Sequence, residues 1–462
     1  MERKLYPLTA AQRQMYNMVV TSPRWPQILN VNALLTLQAP IDFDILRQAL
    51  EQEYARNESL RVRFTAPDAS GAFQQYIVPE ETADPGFLDF SHLPEEEAIA
   101  RLEADGRIAL PMVDAPQHAI SMVKMPDGYN GVYVKLNHMI TDSCAIILMI
   151  NDIMEIYCNL AFGTPMPHAL TSYREALERD LEREQDAKRV AADREFWERM
   201  LDLGEPLYTD ISGSHLLRVA QQQTGNPHMR AAFLQSDKLD VGQWSYYLEQ
   251  EPTRRLLRFC RDQGISMDSL LLMAMRTYLS KVNGGATDVT IRHYLSRRAS
   301  TRNRYSGGVR THAFPCRTVL GPQTGFLEGV RAIQQMQMRI YRHADFDPLA
   351  VQQLMQERFH LPAGTTYEGA GLTYQPLPLR LQNERIRGLP YKVRWLTNGG
   401  EAQPLYLTVM HAPDFQLEFY CRYQRAVCSP QEVELFYYYL MRILFAVVEQ
   451  PGRTIGDVMA VV

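Results

Sequence analysis

The sequence has no large excess of charge of either sign. Its 48 Lys and Arg against 53 Asp and Glu leave a formal net charge of -5, so there is no electrostatic case for a nucleic-acid or anionic-membrane partner. Long apolar runs are missing as well. Stretches such as Cys144–Ile150 are far too short to span a bilayer. The opening residues, MERKLYPLTAAQ, carry charges but no apolar core, so no secretory signal is expected. Cysteine is sparse: Cys144, Cys158, Cys260, Cys316, Cys421 and Cys428 are scattered, with no CxxC pair. They read as reduced, mostly buried thiols of a cytoplasmic protein. Neither HExxH nor a zinc spacing occurs, so no metal is expected. His343, Asp345 and Asp347 could be drawn as ligands, but a solvated turn near Pro348 is the better reading. Internal repeats and low-complexity tracts are also absent.

What is present is the composition of a soluble globular protein, 46% hydrophobic and 22% charged. A chain of 462 residues is too long for one ordinary core, so two domains or lobes are expected. Thr9 caps a first short helix. Val31–Leu37 is a strand, and Ile41–Tyr54 is an amphipathic helix with Phe43, Leu46, Leu50 and Tyr54 on one face. His118–Lys124 and Gly131–Leu136 bracket Pro126–Asp127–Gly128 and predict a hairpin. Residues 171–201 form a long, highly charged helical stretch ending in Phe196 and Trp197, which predicts a connector between lobes. This gives an N-terminal lobe over 1–175, a connector over 176–201 and a C-terminal lobe over 202–462. In the second half, Met267–Val282 is an apolar helix and Asp288–Leu295 a strand. Tyr391–Leu396, Leu405–His411 and Phe415–Tyr423 read as an antiparallel meander, the first two joined through Asn398–Gly399–Gly400. Strands and helices alternate in both halves, so the class is mixed α/β.

The stretch Leu136–Ser143 (LNHMITDS) stands out. A strand over Gly131–Leu136 alternates Val132, Val134 and Leu136 with Tyr133 and Lys135. A helix over Ser143–Ala161 follows, apolar except for Asn151, Asp152, Glu155 and Asn159, with Asp142 or Ser143 as its N-cap. Continued alternation puts His138 on the face of Val132 and Val134, with Asn137 pointing the other way. A histidine presented to an apolar, poorly hydrated space suits a general base. A satisfied core histidine followed by a helix cap gives the same pattern.

Four stretches in order resemble the condensation domains of nonribosomal peptide synthetases. Leu8–Tyr16 (LTAAQRQMY) is similar to their opening S/T-x-A-Q-x-x-x-W/Y element, and Arg56–Phe64 (RNESLRVRF) to RHExLRTxF. Asn137–Ser143 (NHMITDS) resembles HHxxxDG, and Gly308–Arg317 (GVRTHAFPCR) resembles GxFxNxxPxR. Phe196–Leu201 adds weaker support. The resemblance implies two chloramphenicol-acetyltransferase-like lobes arranged as a V with a tunnel between them. It implies an acyltransferase that joins a carrier-protein-bound acyl or aminoacyl thioester to an amine. His138 then corresponds to the catalytic residue. Asp142 corresponds to a structural carboxylate paired with an arginine, for which Arg61 and Arg298 are candidates. Asn137 stands for the first histidine of the motif and Ser143 for its glycine. The cyclising branch, with DxxxxD, fits poorly because its first Asp falls on Asn137 while His138 is kept. No cofactor is implied beyond the phosphopantetheine that a partner carries. The chain stops near Val462, where such a domain would end, so a stand-alone enzyme meeting its carrier protein in trans is expected. Arg302 and Arg304, beside Ser306–Gly307–Gly308, are candidates for the phosphate of that arm, and His312 for a substrate contact. An inactive module that recruits a carrier or tailoring enzyme, and an ester-forming relative with an alcohol acceptor, are the alternatives.

Overall fold

The alternation around Val132 and Val134 forms a strand, Tyr129–Asn137, with both neighbours antiparallel to it: Asn30–Gln38 on one side and His118–Lys124 on the other. It is the middle of a five-stranded sheet ordered Tyr391–Leu396, Asn30–Gln38, Tyr129–Asn137, His118–Lys124, Gly86–Asp89. The computed structural model describes residues 3–81, 84–376 and 381–462. They fall into two units, one made of Met1–Ala187, Ser296–Thr311 and Leu379–Gly400, the other of Lys188–Leu295, His312–Pro378 and Glu401–Val462. The class is mixed α/β.

Helices of the first unit include α1 (Ala10–Thr21), α2 (Phe43–Arg56), α3 (Glu95–Gly106), α4 (Ser143–Phe162) and α5 (Tyr173–Gln185). Thr9 and Gln12 close a capping box on α1. Ala98 and Leu102 of α3 pack on Leu34, Val123, Tyr133 and Leu396, each from a different strand of this sheet. α4 has an 18-residue window of mean hydropathy 1.5, so by length and composition it is apolar enough to cross a membrane. Run length misses this because Asn151, Asp152 and Glu155 interrupt it. In the structure 56% of that window is buried, with α4 lying against α2 as a core helix.

Between α2 and α4 sits Glu53, fully buried, its Oε1 accepting from Asn57 Nδ2 at 2.9 Å. Arg56 meets the nearby Asp152 through Nε and Nη2 at 2.8 and 3.1 Å. Burial, then the neighbouring Asp152 carboxylate, pushes the Glu53 carboxyl well above its ordinary value. The fold therefore holds a proton that the unfolded chain has released above about pH 4.5. Stability should fall as pH rises from there toward the raised folded value. Glu53→Gln should raise the melting temperature at pH 8 more than at pH 5; an equal change at both would remove Glu53 from the pH dependence.

The second unit opens with α6 (Ala187–Leu201) and continues with α7 (His215–Thr224), α8 (Gln250–Gln263) and α9 (Met267–Val282). Its six-stranded sheet runs His312–Val319, Asp288–Leu295, Ala370–Gln375, Leu405–His411, Leu417–Gln424, Val241–Leu248. One face carries the core, in which Leu270, Leu271 and Leu272 of α9 join Leu372, Leu407, Phe419, Phe436 and Leu440.

Several readings change. The charged stretch 171–201 is two helices, interrupted at Asp186, and the two units are not separated by one cut through it. Tyr391–Leu396 leaves the expected meander and pairs antiparallel with Asn30–Gln38. Only the Leu405–His411 and Leu417–Gln424 hairpin remains. The Asn-Gly-Gly signal misled because a two-residue hairpin of type I′ needs both central residues at positive φ. Here Gly399 has φ 89° while neither Asn398 nor Gly400 is positive. Asn398 Nδ2 instead donates to the carbonyls of Ile28 and Asn30. The residues after His343 are not merely a solvated turn: Asp347 caps a helix over Pro348–Phe359, and His343 Nδ1 meets Asp193 at 2.7 Å while stacking on Phe196. Among the described residues no group of three or more His, Cys, Asp and Glu is arranged to hold a metal.

Candidate active site

The sequence ends its central strand at Asn137 and opens α4 at Ser143, leaving five residues to turn the chain. Their backbone is pinned from both sides. Asn137 N–H donates to the Gln117 carbonyl at 2.9 Å, His138 N–H to that of Leu29 at 2.7 Å, and Ile140 N–H to that of Asn137 at 2.9 Å.

Asn137 and His138 part company as strand alternation requires. Asn137 is buried, donates from Nδ2 to Gln117 Oε1 at 2.8 Å, and accepts from Met139 N–H at 2.9 Å. Gln117 in turn donates to the carbonyls of Pro111, Met112 and Ala115. Asn137 thus ties the turn to the segment after α3. His138 is half-buried, and its Nδ1 lies 2.8 Å from the Thr141 carbonyl oxygen. A carbonyl oxygen can only accept, so Nδ1 carries the proton. In the neutral ring the lone pair then falls on Nε2, the arrangement a general base needs.

Asp142 is 1% exposed and is the N-cap of α4, its Oδ1 accepting from Ala145 N–H at 2.9 Å. Arg298 Nη2 reaches both carboxylate oxygens at 3.0 and 3.1 Å, and Oδ2 also accepts from Arg310 N–H at 2.9 Å and Thr311 Oγ1 at 3.3 Å. Burial alone would raise this carboxyl, but the Arg298 charge and the N–H groups of Ala145 and Arg310 outweigh it and hold it below the usual range. Arg298 also holds its own loop, giving Nη1 to the carbonyls of Asn303 and Ser306 and Nη2 to that of Gly308. One guanidinium therefore fastens residues 303–308 to the start of α4. Two glycines let this loop come close. A Cβ at Gly307 would sit 2.2 Å from Ser59 Oγ, and Gly308, at φ +83°, would place one 2.1 Å from the Tyr173 ring.

Of the two arginines proposed for Asp142, the structure brings Arg298 to it and not Arg61, which donates to the carbonyls of Val78, Pro79 and Ala55. The arginine-rich stretch is only partly solvated. Arg298, Arg310 and Arg317 are buried, Arg310 on Asp180 at 2.8 Å and Arg317 on Asp288 at 2.7 Å. Arg302 and Arg304 are exposed on a short helix, Thr301–Arg304, with Arg304 donating to the carbonyls of Arg298 and Ala299. Ser143 is the first, half-buried residue of α4. His312 belongs to the second unit, fully buried, with Nδ1 2.8 Å from the Ala344 carbonyl.

Sequence reasoning missed Gln12. Fully buried, it donates from Nε2 to the Met139 carbonyl at 3.2 Å inside the His138 turn and forms a reciprocal amide pair with Gln75 at 2.6 and 2.7 Å. The signal was available, since Gln12 is the Q of the opening motif, but the spacing alone says only that it caps a helix.

The family model described as condensation domain matches residues 2–461. Surfactin synthase subunit 2 of Bacillus subtilis (strain 168) is 21% identical over 462 residues, covering 100% of this chain and 12% of the relative. A plipastatin synthase of the same organism is 24% identical over 464 residues, covering 99% and 17%. This chain thus spans less than a fifth of the length of these relatives. Among solved structures, a starter condensation domain of rhizomide synthetase in complex with C8-CoA is similar with TM-score 0.81 and 20% identity, covering 98% of this chain and 97% of that one. The first condensation domain of the calcium-dependent antibiotic synthetase, with a substrate analogue, gives TM-score 0.78 and 19% identity, covering 98% of each chain.

Proposed function

The chain belongs to the condensation-domain family of nonribosomal peptide synthetases, a family of acyltransferases, and we propose that it joins a carrier-bound acyl or aminoacyl thioester to an amine with His138 as the catalytic residue. The observation that carries this reading is the 2.8 Å contact of His138 Nδ1 with the Thr141 carbonyl. It leaves Nε2 as the basic atom and fixes the plane of the ring. The amine nitrogen attacks the thioester carbonyl carbon and gives up a proton to Nε2. The C–N bond forms, the C–S bond breaks, and the imidazolium returns the proton to the leaving thiolate. No further titrating group is required, because holding two reactants in register can lower the barrier by about 7–11 kcal/mol.

Asp142 acts at one remove: with Arg298 it sets where α4 begins, and so where the His138 turn ends. Arg302 is proposed as the contact for the phosphate of the phosphopantetheine arm. It is exposed, and among the described residues no carboxylate or carbonyl holds its guanidinium, whereas Arg304 is held by two carbonyls. Arg302→Ala should weaken use of a phosphopantetheine thioester several-fold and leave a thioester without phosphate unaffected; equal loss with both would remove Arg302 from this role.

The test of the function is intact-mass spectrometry of carrier proteins encoded beside this chain, loaded with acyl groups and offered amine acceptors. The reading expects an amide-linked product and a donor carrier returned as the free thiol. Transfer to alcohols but not to amines would replace it with ester formation. Binding of carriers without any transfer would replace it with recruitment.

A further inference from the structure

The outer face of α8 carries arginines that the fold does not use for pairing. The helix buries Thr253, Leu256, Phe259 and Cys260 and exposes Arg254, Arg255, Arg258 and Arg261. Arg254, Arg258 and Arg261 recur at i, i+4 and i+7, which is one stripe of a helix. Arg442, on the neighbouring helix Pro430–Glu449, is exposed too. Of these five, Arg261 is in an ion pair, with the exposed Asp262 at 3.2 Å; the other four form none among the described residues. On α8 and its cap, acidic residues stand only at the ends, at Glu249, Glu251 and Asp262.

Three of the arginines are braced by aromatic rings instead. Arg254 lies 5.4 Å from the ring centroid of Phe415, which is 62% exposed. Arg255 lies 5.5 Å from that of Phe445, and Arg442 lies 5.6 and 5.8 Å from those of Tyr438 and Tyr439. A guanidinium held over a ring loses less freedom when it binds and keeps its N–H edge for a bidentate carboxylate contact. The array spans two helical turns, set at the spacing at which a facing helix presents its own side chains. That short reach, on a chain of net charge -5, suits a carboxylate-bearing helix better than a polyphosphate backbone, whose binding depends on many phosphate contacts.

We propose that the outer face of α8, with Arg442 and Phe415, is the docking surface for an acidic helix of a second folded protein, namely the carrier that brings substrate. The partner's identity rests on the function proposed above; the surface and its preference for an acidic helix do not. The experiment is a titration of the carrier protein encoded beside this chain into wild type and into the Arg254→Glu, Arg258→Glu double variant, each first shown to have the same melting temperature. The dissociation constant should rise at least about tenfold in the variant, and wild-type binding should weaken as salt is raised. Changing acidic residues of one carrier helix to lysine should restore binding to the variant. Unchanged affinity in the variant overturns the proposal, as does a 20-base-pair DNA duplex that binds wild type more tightly than the carrier does. No turnover is needed for this test. A carrier that docks on the arginines but undergoes no transfer would end the catalytic reading and leave the docking surface standing.

Discussion

Replacing His138 with alanine should lower acyl transfer by about 100- to 10,000-fold, the range a positioned general base contributes, with little change in melting temperature. The ring is half-buried, with Nδ1 on the Thr141 carbonyl of its own turn, so its removal leaves no large cavity. Asn137→Ala provides the contrast. That side chain links Gln117 to Met139 N–H, so its loss should cost about 1–3 kcal/mol of stability and retain substantial activity. Equal losses of turnover from the two variants, or full activity in His138→Ala, would contradict the assignment.

Asp142→Ala should have the largest effect on stability. It would remove the partner of a buried guanidinium, strand the N–H groups of Arg310 and Ala145, and uncap α4. Breaking a buried ion pair from one side costs about 3–5 kcal/mol. At about 2–4 °C per kcal/mol for a unit of this size, the melting temperature should fall by about 10 °C. Asp142→Asn keeps a capping oxygen and should fall between wild type and alanine. The acid side of the stability profile should change as well. The Asp142 carboxyl is held below its ordinary value, so its contribution is present above that value and is lost as pH falls through the lowered one. Both variants should therefore lose less than wild type on acidification. A variant with unchanged stability and a pure loss of turnover would assign Asp142 to the chemistry.

Much of the first unit was legible because its signals are local. Period-two alternation placed the strand before His138, and Thr9 and Asp142 marked helix starts through cap chemistry that acts within three residues. Reading Asn137 and His138 as opposite-facing needed only the pleat. What the sequence hid was partner choice. Tyr391–Leu396 was visible as a strand, but nothing in YKVRWL says that it pairs with Asn30–Gln38 rather than with the next strand along. The strands Gly86–Asp89 and Ala370–Gln375 escaped notice for a related reason: parallel pairing leaves no hairpin turn to mark them. The arginine-rich stretch showed charge without destination. Three of its arginines became buried clamps because Asp142, Asp180 and Asp288 were waiting for them. Gln12 is the clearest omission, since its contact with Met139 spans 127 residues of sequence.

The central claim is that the Thr141 carbonyl fixes His138 with its proton on Nδ1 and its lone pair on Nε2. It is tested most directly by long-range proton–nitrogen NMR of protein labelled with 15N-histidine, the His138 signals being assigned by their absence in His138→Ala. The account predicts, at a pH where the ring is neutral, a protonated, pyrrole-like Nδ1 and an unprotonated, pyridine-like Nε2. A proton on Nε2 with a bare Nδ1 would contradict it.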